Sequence, residues 1–438
     1  MDLKIPYDGC CVTINIPLPD QNITVLQGKD PAPAKDVSTL TQEALSAPIG
    51  KKKLSEIVSP GKKVALLFDD FTRLTPVSTM MPFVLDELKR GGIRNEDVTL
   101  VCANGMHNPE YMNQEKLRER VGSDVFSNYK VISHNAYEFN ELKFIGITEQ
   151  LGTPLFVNRF VAAADIKVTI GRIAPHGDMG YSGGAKMIMA GVSGIWSIIH
   201  NHTGSYPRRG VLKNPLRDDA DECARMAGLD FIVNVVYNSK GEPLQVFAGD
   251  PFEARLKGIE YGDQHVWGAK IPHLADIVIM APGIGKDDYF MSSMGGLGIA
   301  SNCLKEDGTI VVVASCKKGW STEEYLESGW HVSKDLLNYD YPHLMWLLAS
   351  RAWQEPHLQY QALVYYVNHI AKTCHDYEVV LAGAKGISRD EAQKLNMRCI
   401  QSIEKGLDYA IRKQGKKAKI IVIPDTYTLP LEQYHTCC

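Results

Sequence analysis

The chain has 438 residues, of which 45% are hydrophobic and 22% charged, and its formal net charge is −4. A chain of this length usually divides into two domains, and this composition is typical of a folded, water-soluble protein. The slight negative charge and the lack of long basic runs argue against nucleic-acid binding. No segment reaches the roughly 18 apolar residues of a membrane span.

Neither a signal sequence nor a disulfide framework is evident. The first residues lack the apolar core of a secretory signal, so we expect a cytoplasmic protein that binds no membrane. The ten cysteines include no C-x-x-C pair. A thiolate zinc site is therefore not expected. We expect instead that the cysteines are free thiols in a reducing compartment.

The N-terminal region predicts short elements. Residues 12–16 and 23–25 alternate in polarity and predict two short strands. Residues 36–46 predict a short helix, for which Asp36 is a suitable N-cap.

A clear α/β pattern begins with the apolar run at 63–70, which predicts a strand buried on both faces of a parallel sheet. A helix follows, with Thr75 as a possible cap and Pro76 at its first position. Gly91 and Gly92 end it. The next strand, at 98–102, is followed by a short loop that ends in a histidine.

Several polar residues follow the predicted strands directly. Asp70 and Arg73 come after the first strand and His107 after the second, while residues 176–186 follow the apolar run at 166–173. Ligands of open parallel sheets bind outside the carboxyl ends of the strands. We therefore expect these groups to converge on one edge of the sheet.

The second half of the chain repeats the α/β pattern. A hairpin over residues 231–247 and a helix near 251–266 precede a renewed series of strands, at 276–281, 309–314, 378–382 and 419–423. The pattern predicts an α/β fold of two domains, each with a mainly parallel or mixed sheet flanked by helices. We place an N-terminal domain at 1–270, a C-terminal domain at 275–425, and a tail at 426–438 that could pack on the first domain.

The richest segment is HGDMGYSGGAK, which runs from His176 to Lys186 and is followed by His200 and His202. Glycine allows close approach to a ligand, histidine supplies a base or metal ligand, and lysine supplies a charge or a nucleophile. The segment does not have P-loop spacing. Positions two apart on a helix diverge, so only one of the two later histidines can face the loop.

Each motif also has a purely structural interpretation. The turn from Asp70 to Arg73 could be only a local capping network, or its arginine could clamp a carboxylate or phosphate. His107 could be a structural histidine whose hydrogen bonds are satisfied within the fold.

The residues are also compatible with a simple hydrolase that uses a histidine-bound metal. Such an enzyme should tolerate the loss of Lys186.

Together these motifs resemble the lactate racemase family, the nickel-pincer-dependent 2-hydroxyacid racemases and epimerases. The resemblance covers nearly the whole chain in order. It rests on the D-x-T-R turn at 70–73, the glycine-then-histidine loop at 105–107, and the H-x-x-x-G-Y-S-G-G-x-K stretch. It also includes a histidine sixteen residues beyond the lysine, at position 202.

The resemblance implies inversion of C2 of a 2-hydroxyacid by hydride transfer to and from a cofactor. That cofactor is a nickel-bound pyridinium-3-thioamide-5-thiocarboxylic acid mononucleotide, attached covalently to Lys186. His202 becomes the nickel ligand, with His200 as the alternative. His107 and His176 become acid–base residues acting on opposite faces of one carbon.

The resemblance also implies further contacts and partners. Substrate-binding residues would be Asp70, Arg73, Tyr181 and Gly295; further cofactor contacts would come from Thr72, Ser182, Gly183 and Gly184. The active site would lie in the cleft between the domains. The proteins that synthesise the pincer cofactor would be partners.

The sequence departs from the family at one position that bears on the substrate. Gly295 stands where lactate racemases carry a lysine that reaches the active site. The loss of a long cationic side chain predicts a substrate larger than lactate, for example a sugar acid epimerised at C2. The same fold and motifs are also compatible with a non-racemising redox or lyase enzyme, or with a cofactor-binding protein.

Overall fold

A computed structural model describes residues 1–203, 210–283, 285–321, 334–350 and 366–431. These residues form two compact units. The described residues of the central unit are 30–203 and 211–266, and those of the terminal unit are 1–29, 210, 267–283, 285–321, 334–350 and 366–431. None of the described helices combines the length and apolarity that crossing a bilayer requires.

The two units are built from short strands and helices in alternation. The described strands are β1 (Asp2–Tyr7), β2 (Cys10–Asn15), β3 (Ile23–Val25), β4 (Val64–Phe68), β5 (Val98–Cys102), β6 (Lys130–Ser133), β7 (Leu142–Ile147), β8 (Pro154–Asn158), β9 (Ile166–Arg172), β10 (Pro175–His176), β11 (Gly180–Tyr181), β12 (Phe231–Tyr237), β13 (Pro243–Gly249), β14 (Gly268–Lys270), β15 (Ala275–Met280), β16 (Leu304–Val313), β17 (Glu378–Ala382), β18 (Met397–Ile400), β19 (Ile420–Ile423) and β20 (Leu429–Leu431). The described α-helices are α1 (Val37–Ser46), α2 (Leu54–Ile57), α3 (Val77–Arg90), α4 (Gln114–Val121), α5 (Ser123–Asn128), α6 (Arg159–Ala163), α7 (Ile195–Thr203), α8 (Pro215–Ala227), α9 (Glu253–His265), α10 (Phe290–Ser293), α11 (Leu297–Ser301), α12 (Tyr341–Ser350), α13 (Lys372–Asp376), α14 (Arg389–Lys394) and α15 (Ile403–Gln414).

The central unit contains a sheet of six strands in the order β13-β12-β9-β4-β5-β6. Strands β12 and β13 are antiparallel, and the other neighbours are parallel. All five residues of β4 are buried, which explains their uninterrupted apolar sequence. Because β4 lies between β5 and β9, the loops that follow these three strands emerge side by side.

The terminal unit contains a parallel sheet of six strands in the order β18-β17-β16-β15-β19-β3. The first 29 residues belong to this unit by their contacts, whereas the sequence-based boundary grouped them with the residues that follow. The physical reason is that β3 pairs with β19, with Ile23 opposite Ile420, and that Ile5 and Ile14 of the first hairpin lie in the core beneath the sheet.

The tail is also part of the terminal unit as far as it is described. Its strand β20 pairs in parallel with β14, so residues 429–431 pack with the unit they follow. The rest of the predicted tail, residues 432–438, lies outside the described residues.

The predicted α/β class is confirmed, while several local predictions need correction. Helix α3 begins at Val77, with Pro76 at its N-cap position. Thr75 does not cap it, because its hydroxyl donates to the buried Asp69 carboxylate at 2.6 Å. The helix that carries both later histidines starts at Ile195. The strands that were not predicted are β1, β6, β7, β8, β10, β11, β14, β18 and β20.

Candidate active site

The turn after β4 is a hydrogen-bonded network. Asp70 is 2% exposed, and its Oδ1 accepts the Thr72 amide at 3.1 Å and also the Thr72 hydroxyl. Arg73 Nη1 donates to the same hydroxyl oxygen at 2.8 Å. The local network that the sequence allowed is therefore present, and it leaves Asp70 Oδ2 free to contact another group.

That group is His107, which follows β5. Its Nδ1 is hydrogen-bonded to Asp70 Oδ2 in the buried interior. Burial alone would raise the pKa of Asp70, but His107, followed by Arg73 and Thr72, lowers it well below its ordinary value. An ionised carboxylate can only accept, so Nδ1 carries the proton and Nε2 presents a lone pair.

The second histidine, His176, carries its proton on the other ring nitrogen. His176 ends β10, and its Nδ1 accepts the Asp178 amide at 3.1 Å. A backbone amide can only donate, so neutral His176 carries its proton on Nε2. Burial lowers its pKa well below the ordinary value, and the charge of Lys186 acts in the same direction. His176 is therefore neutral at neutral pH.

Lys186 lies in a 3₁₀ turn over Gly184–Met187 and is partly exposed. Burial, followed by the charge of Arg73, lowers the pKa of its amine to about 8, against an opposing effect of Asp178. An amine with a depressed pKa is a competent nucleophile near neutral pH.

The glycines before Lys186 are required by the backbone. Gly183 and Gly184 have φ angles of +83° and +56°, which favour glycine. A Cβ atom on Gly184 would lie 2.8 Å from the Pro251 carbonyl oxygen, and one on Gly183 would lie 2.8 Å from the Arg172 carbonyl oxygen. The loop can follow this path only without side chains at these two positions.

Two other predicted site residues of the glycine-rich loop form hydrogen bonds that fix the loop in place. Tyr181 is 1% exposed, and its hydroxyl donates to the Asp263 carboxylate at 2.9 Å. Ser182 Oγ accepts the Ala174 amide at 3.0 Å. Both side chains thereby brace the loop, and their contacts with a substrate or cofactor stay predictions.

His202 on α7 has the hydrogen bonding of a histidine ready to bind a metal. It is 3% exposed, and its Nδ1 contacts the Ile198 carbonyl at 2.9 Å, so Nδ1 carries the proton. Its Nε2 is buried and has no hydrogen-bond partner among the described residues. Metal-binding histidines commonly donate one ring N–H to a carbonyl and offer the other nitrogen to the metal. His200 instead contacts Thr153 Oγ1 at 3.2 Å.

The structure brings most of the predicted site together within the central unit. Besides burial, the charge of Lys186 lowers the pKa of both His176 and His202, and Asp178 acts on all three groups. No group of three or more His, Cys, Asp or Glu side chains in the described part of the chain is arranged to hold a metal ion. A metal at His202 would therefore need donors other than such a group of described side chains. Gly295 lies in the terminal unit, in a 3₁₀ turn over Met294–Gly296, and its role stays a prediction.

Sequence reasoning missed the buried groups that support these residues. Arg217, Asp219 and Arg255 lie on α8 and α9 and are 0–3% exposed. Asp219 accepts hydrogen bonds from the hydroxyls of Thr148 and Thr153 and from the Asn201 side chain. The sequence feature that could have revealed these residues is a charged residue on the otherwise apolar face of an amphipathic helix.

Replacing Asp219 with asparagine should lower the free energy of unfolding by about 1–3 kcal/mol, because an amide cannot accept from all three donors at once. The same change should weaken the anchoring of α7, which carries His202. Urea denaturation measures the first effect. Glu222→Gln is a matched control on the same helix, because Glu222 accepts only exposed backbone amides and should cost less than about 0.5 kcal/mol. Equal losses in the two variants would contradict the prediction.

Comparison with known families identifies two regions of the chain. Residues 11–210 match the family model described as the lactate racemase N-terminal domain. Residues 271–429 match the model described as the lactate racemase C-terminal domain. The two matches together cover most of the chain.

Individual relatives agree with these matches. A lactate racemase from Thermoanaerobacterium thermosaccharolyticum is 30% identical over 334 residues, which cover 74% of this chain and 76% of the relative. One from Lactiplantibacillus plantarum is 25% identical over 434 residues, which cover 97% and 98%. The structure of the lactate racemase apoprotein from T. thermosaccharolyticum superposes with a TM-score of 0.80 at 25% identity, covering 99% of this chain and 100% of that one. A Thermotoga maritima protein of known crystal structure has a TM-score of 0.61 at 18% identity, covers 93% of this chain and 100% of its own, and shares the fold.

Proposed function

Because this chain belongs to the lactate racemase family and is an isomerase of the racemase class, we propose that it inverts C2 of a 2-hydroxyacid with a tethered nickel-pincer nucleotide. The observation that carries the proposal is the buried Nε2 of His202, which has no partner among the described residues. A buried, unpaired ring nitrogen is costly unless a ligand such as a metal satisfies it.

The residues present fit this cofactor. His202 would bind the nickel, and Lys186 would hold the pyridinium through a thioamide. This cofactor carries metal donors of its own, so the nickel would not depend on the described side chains alone. Further contacts would come from Thr72, Ser182, Gly183 and Gly184. When bound, the cofactor supplies a reversible acceptor of hydride, and the protein supplies position and proton transfer.

The two acid–base histidines have complementary proton positions. His107 presents a lone pair at Nε2, because Asp70 holds the proton on Nδ1. His176 presents an N–H at Nε2, because its Nδ1 is occupied by a backbone amide. His107 can therefore accept the hydroxyl proton of the substrate, and neutral His176 can donate a hydrogen bond to the oxygen on the opposite face. His176 would return a proton to that oxygen only after gaining a second one, because a neutral imidazole that lost its N–H would become an imidazolate. In the reverse direction the two roles exchange.

Arg73 would hold the substrate carboxylate while the oxidised carbon turns. Its guanidinium is fixed by Thr72, and it can bind a carboxylate through two parallel hydrogen bonds. Asp70 would act through His107. Glycine at position 295, in place of a family lysine, favours a substrate larger than lactate, with an aldonate epimerised at C2 as a specific candidate.

Two competing hypotheses use the same fold differently. A hydroxyacid redox or lyase enzyme would change the mass or oxidation state of its substrate, whereas racemisation conserves both. A cofactor-binding protein without activity would not need two opposed histidines. We place the enzyme in the cytoplasm, with the pincer-synthesising proteins as its partners in maturation.

The test is to co-express the full chain with the pincer-synthesising enzymes and measure intact mass, bound nickel and product chirality. We expect a mass gain of one cofactor, one nickel per chain, and interconversion of the two C2 epimers of a 2-hydroxyacid. Lactate and a series of aldonates should be compared as substrates. Absence of both adduct and nickel from the wild-type protein would overturn the proposal, and a change in substrate mass would favour a redox or lyase reaction.

A further inference from the structure

Two arginines lie buried beneath the glycine-rich loop, and the proposed chemistry does not use them. Arg217 of α8 is 1% exposed and Arg255 of α9 is 3% exposed. Arg217 Nη1 donates to the Gly183 carbonyl at 3.0 Å. Arg255 donates through Nε and Nη2 to the carbonyls of Ser182 and Tyr181, at 3.3 and 3.4 Å. Three successive carbonyl groups of the loop are therefore held by two guanidinium groups.

Hydrogen bonding alone does not account for two cations in this position. A buried charge costs far more in desolvation than a neutral amide does, and a glutamine could donate to the same carbonyl groups. Arg217 has a carboxylate partner, since its Nη2 lies 2.7 Å from Asp221 Oδ1. Burial lowers the pKa of both arginines, and the charge of Arg217 further lowers that of Arg255. The positive charge itself thus requires a function.

Lys186 is the residue of the loop that this charge reaches. It shares its 3₁₀ turn with Gly184, where a Cβ atom would lie 3.3 Å from Arg217 Nη2. The charge of Arg217 lowers the pKa of Lys186, after the larger effects of burial and of Arg73. The charged and titratable groups that act on this amine or feel its charge are Arg73, Arg172, His176, Asp178, His202 and Arg217.

We propose that Arg217 is a positioning residue for cofactor attachment, which fixes the loop through the Gly183 carbonyl and places a permanent positive charge against the turn that carries Lys186. The inference rests on the proposed function. In the attachment step the Lys186 nitrogen bonds to the carbonyl carbon of the thiocarboxylic acid group, and the carbon–oxygen bond breaks. The oxygen leaves as water with one amine hydrogen and the acid proton, so that a thioamide forms without oxidation or reduction.

A charge of this kind acts on attachment because only the unprotonated amine has the lone pair that forms the new bond. A neighbouring cation disfavours the ammonium form, so the reactive amine is present at a lower pH. Removal of the Arg217 charge should move the reactivity of Lys186 to higher pH. Removal of the Asp221 carboxylate should move it to lower pH, since the Arg217 charge then acts uncompensated.

The test is competitive acetylation of the full-length apoprotein with acetic anhydride between about pH 6 and pH 10, with the acetylated fraction of Lys186 read by peptide mass spectrometry. Exposed Lys143 on β7 is the reference within each sample. Arg217→Gln keeps a donor for the Gly183 carbonyl and removes the charge, and Arg217→Lys keeps the charge. We expect Arg217→Gln to raise the midpoint of Lys186 labelling by about half a pH unit or more, a roughly threefold loss of labelling near neutral pH. Arg217→Lys should restore the midpoint.

The Asp221→Asn variant separates a charge effect from damage to the loop. A loosened loop would expose Lys186 to water and raise its labelling midpoint, so a lowered midpoint in this variant can come only from charge. The inference is overturned if Arg217→Gln and Arg217→Lys shift the midpoint equally, or if Asp221→Asn leaves it unchanged or raises it. If Arg217→Gln does not fold, Asp221→Asn decides alone. Because the labelling uses no cofactor, failure of the proposed function would appear separately, as wild-type protein without adduct or nickel.

Discussion

Replacing Lys186 with alanine should leave the co-expressed protein without a covalent adduct and with racemisation at the uncatalysed rate. The amine is the proposed point of attachment, and its pKa of about 8 makes it reactive near neutral pH. Intact mass, bound nickel and chiral analysis of the products measure the loss of the adduct, of its nickel and of racemisation.

Two further variants sharpen this experiment. Lys186→Arg keeps a positive charge, but its guanidinium stays protonated and cannot form the thioamide, so it should lose the adduct as completely as alanine does. Lys143→Ala removes an exposed lysine of the same unit and should behave like the wild type. A cofactor-sized mass gain on Lys186→Ala would show that attachment occurs elsewhere, and full racemase activity in that variant would show that catalysis does not need the tether.

Replacing Asp70 with asparagine should lower kcat by about 10²- to 10⁴-fold, the range typical of a lost general acid or base. The carboxylate is 2% exposed and hydrogen-bonded to Nδ1 of His107. An asparagine can present its amide N–H to Nδ1, which would place the histidine proton on Nε2 and remove the base. Steady-state kinetics in both directions should show the loss mainly in kcat.

The double variant tests whether Asp70 acts through His107. His107→Asn should cost about as much as Asp70→Asn, and the combined change should cost little more than either, because residues that act as a unit are strongly non-additive. Losses that multiply would show that Asp70 has an independent role, such as direct substrate binding. An Asp70→Asn enzyme within about fivefold of the wild type would contradict the assignment.

Local patterns in the sequence were sufficient to predict the parts of the site that follow strands. The buried run of β4 and the next strand predicted a parallel pair, and parallel strands present their carboxyl ends on one edge. Asp70, Arg73 and His107 could be expected near that edge for this reason alone. The contact between Asp70 and His107 is consistent with that expectation.

The groups that hold the site in place could not be predicted in the same way, because they depend on contacts between distant segments. Asp219 accepts from Thr148, 71 residues earlier in the chain, and Arg217 reaches Gly183 across 34 residues. Helical periodicity allowed either His200 or His202 to face the loop. Only the hydrogen bonds of the folded chain distinguish them, since His200 contacts a threonine and His202 Nε2 has no partner among the described residues.

The pairing of β3 with β19 bears on how the protein is made. Ile23 lies opposite Ile420, so β3 must wait for β19, which is synthesised much later. The central unit lies between them in the chain and can complete its own sheet while the ribosome is still translating the residues that follow. The terminal unit cannot fold so early, because the hairpin with Ile5 and Ile14 lacks most of its core until the strands after the central unit have been synthesised. Nascent chains should therefore acquire a protease-resistant central unit well before their first 29 residues are protected.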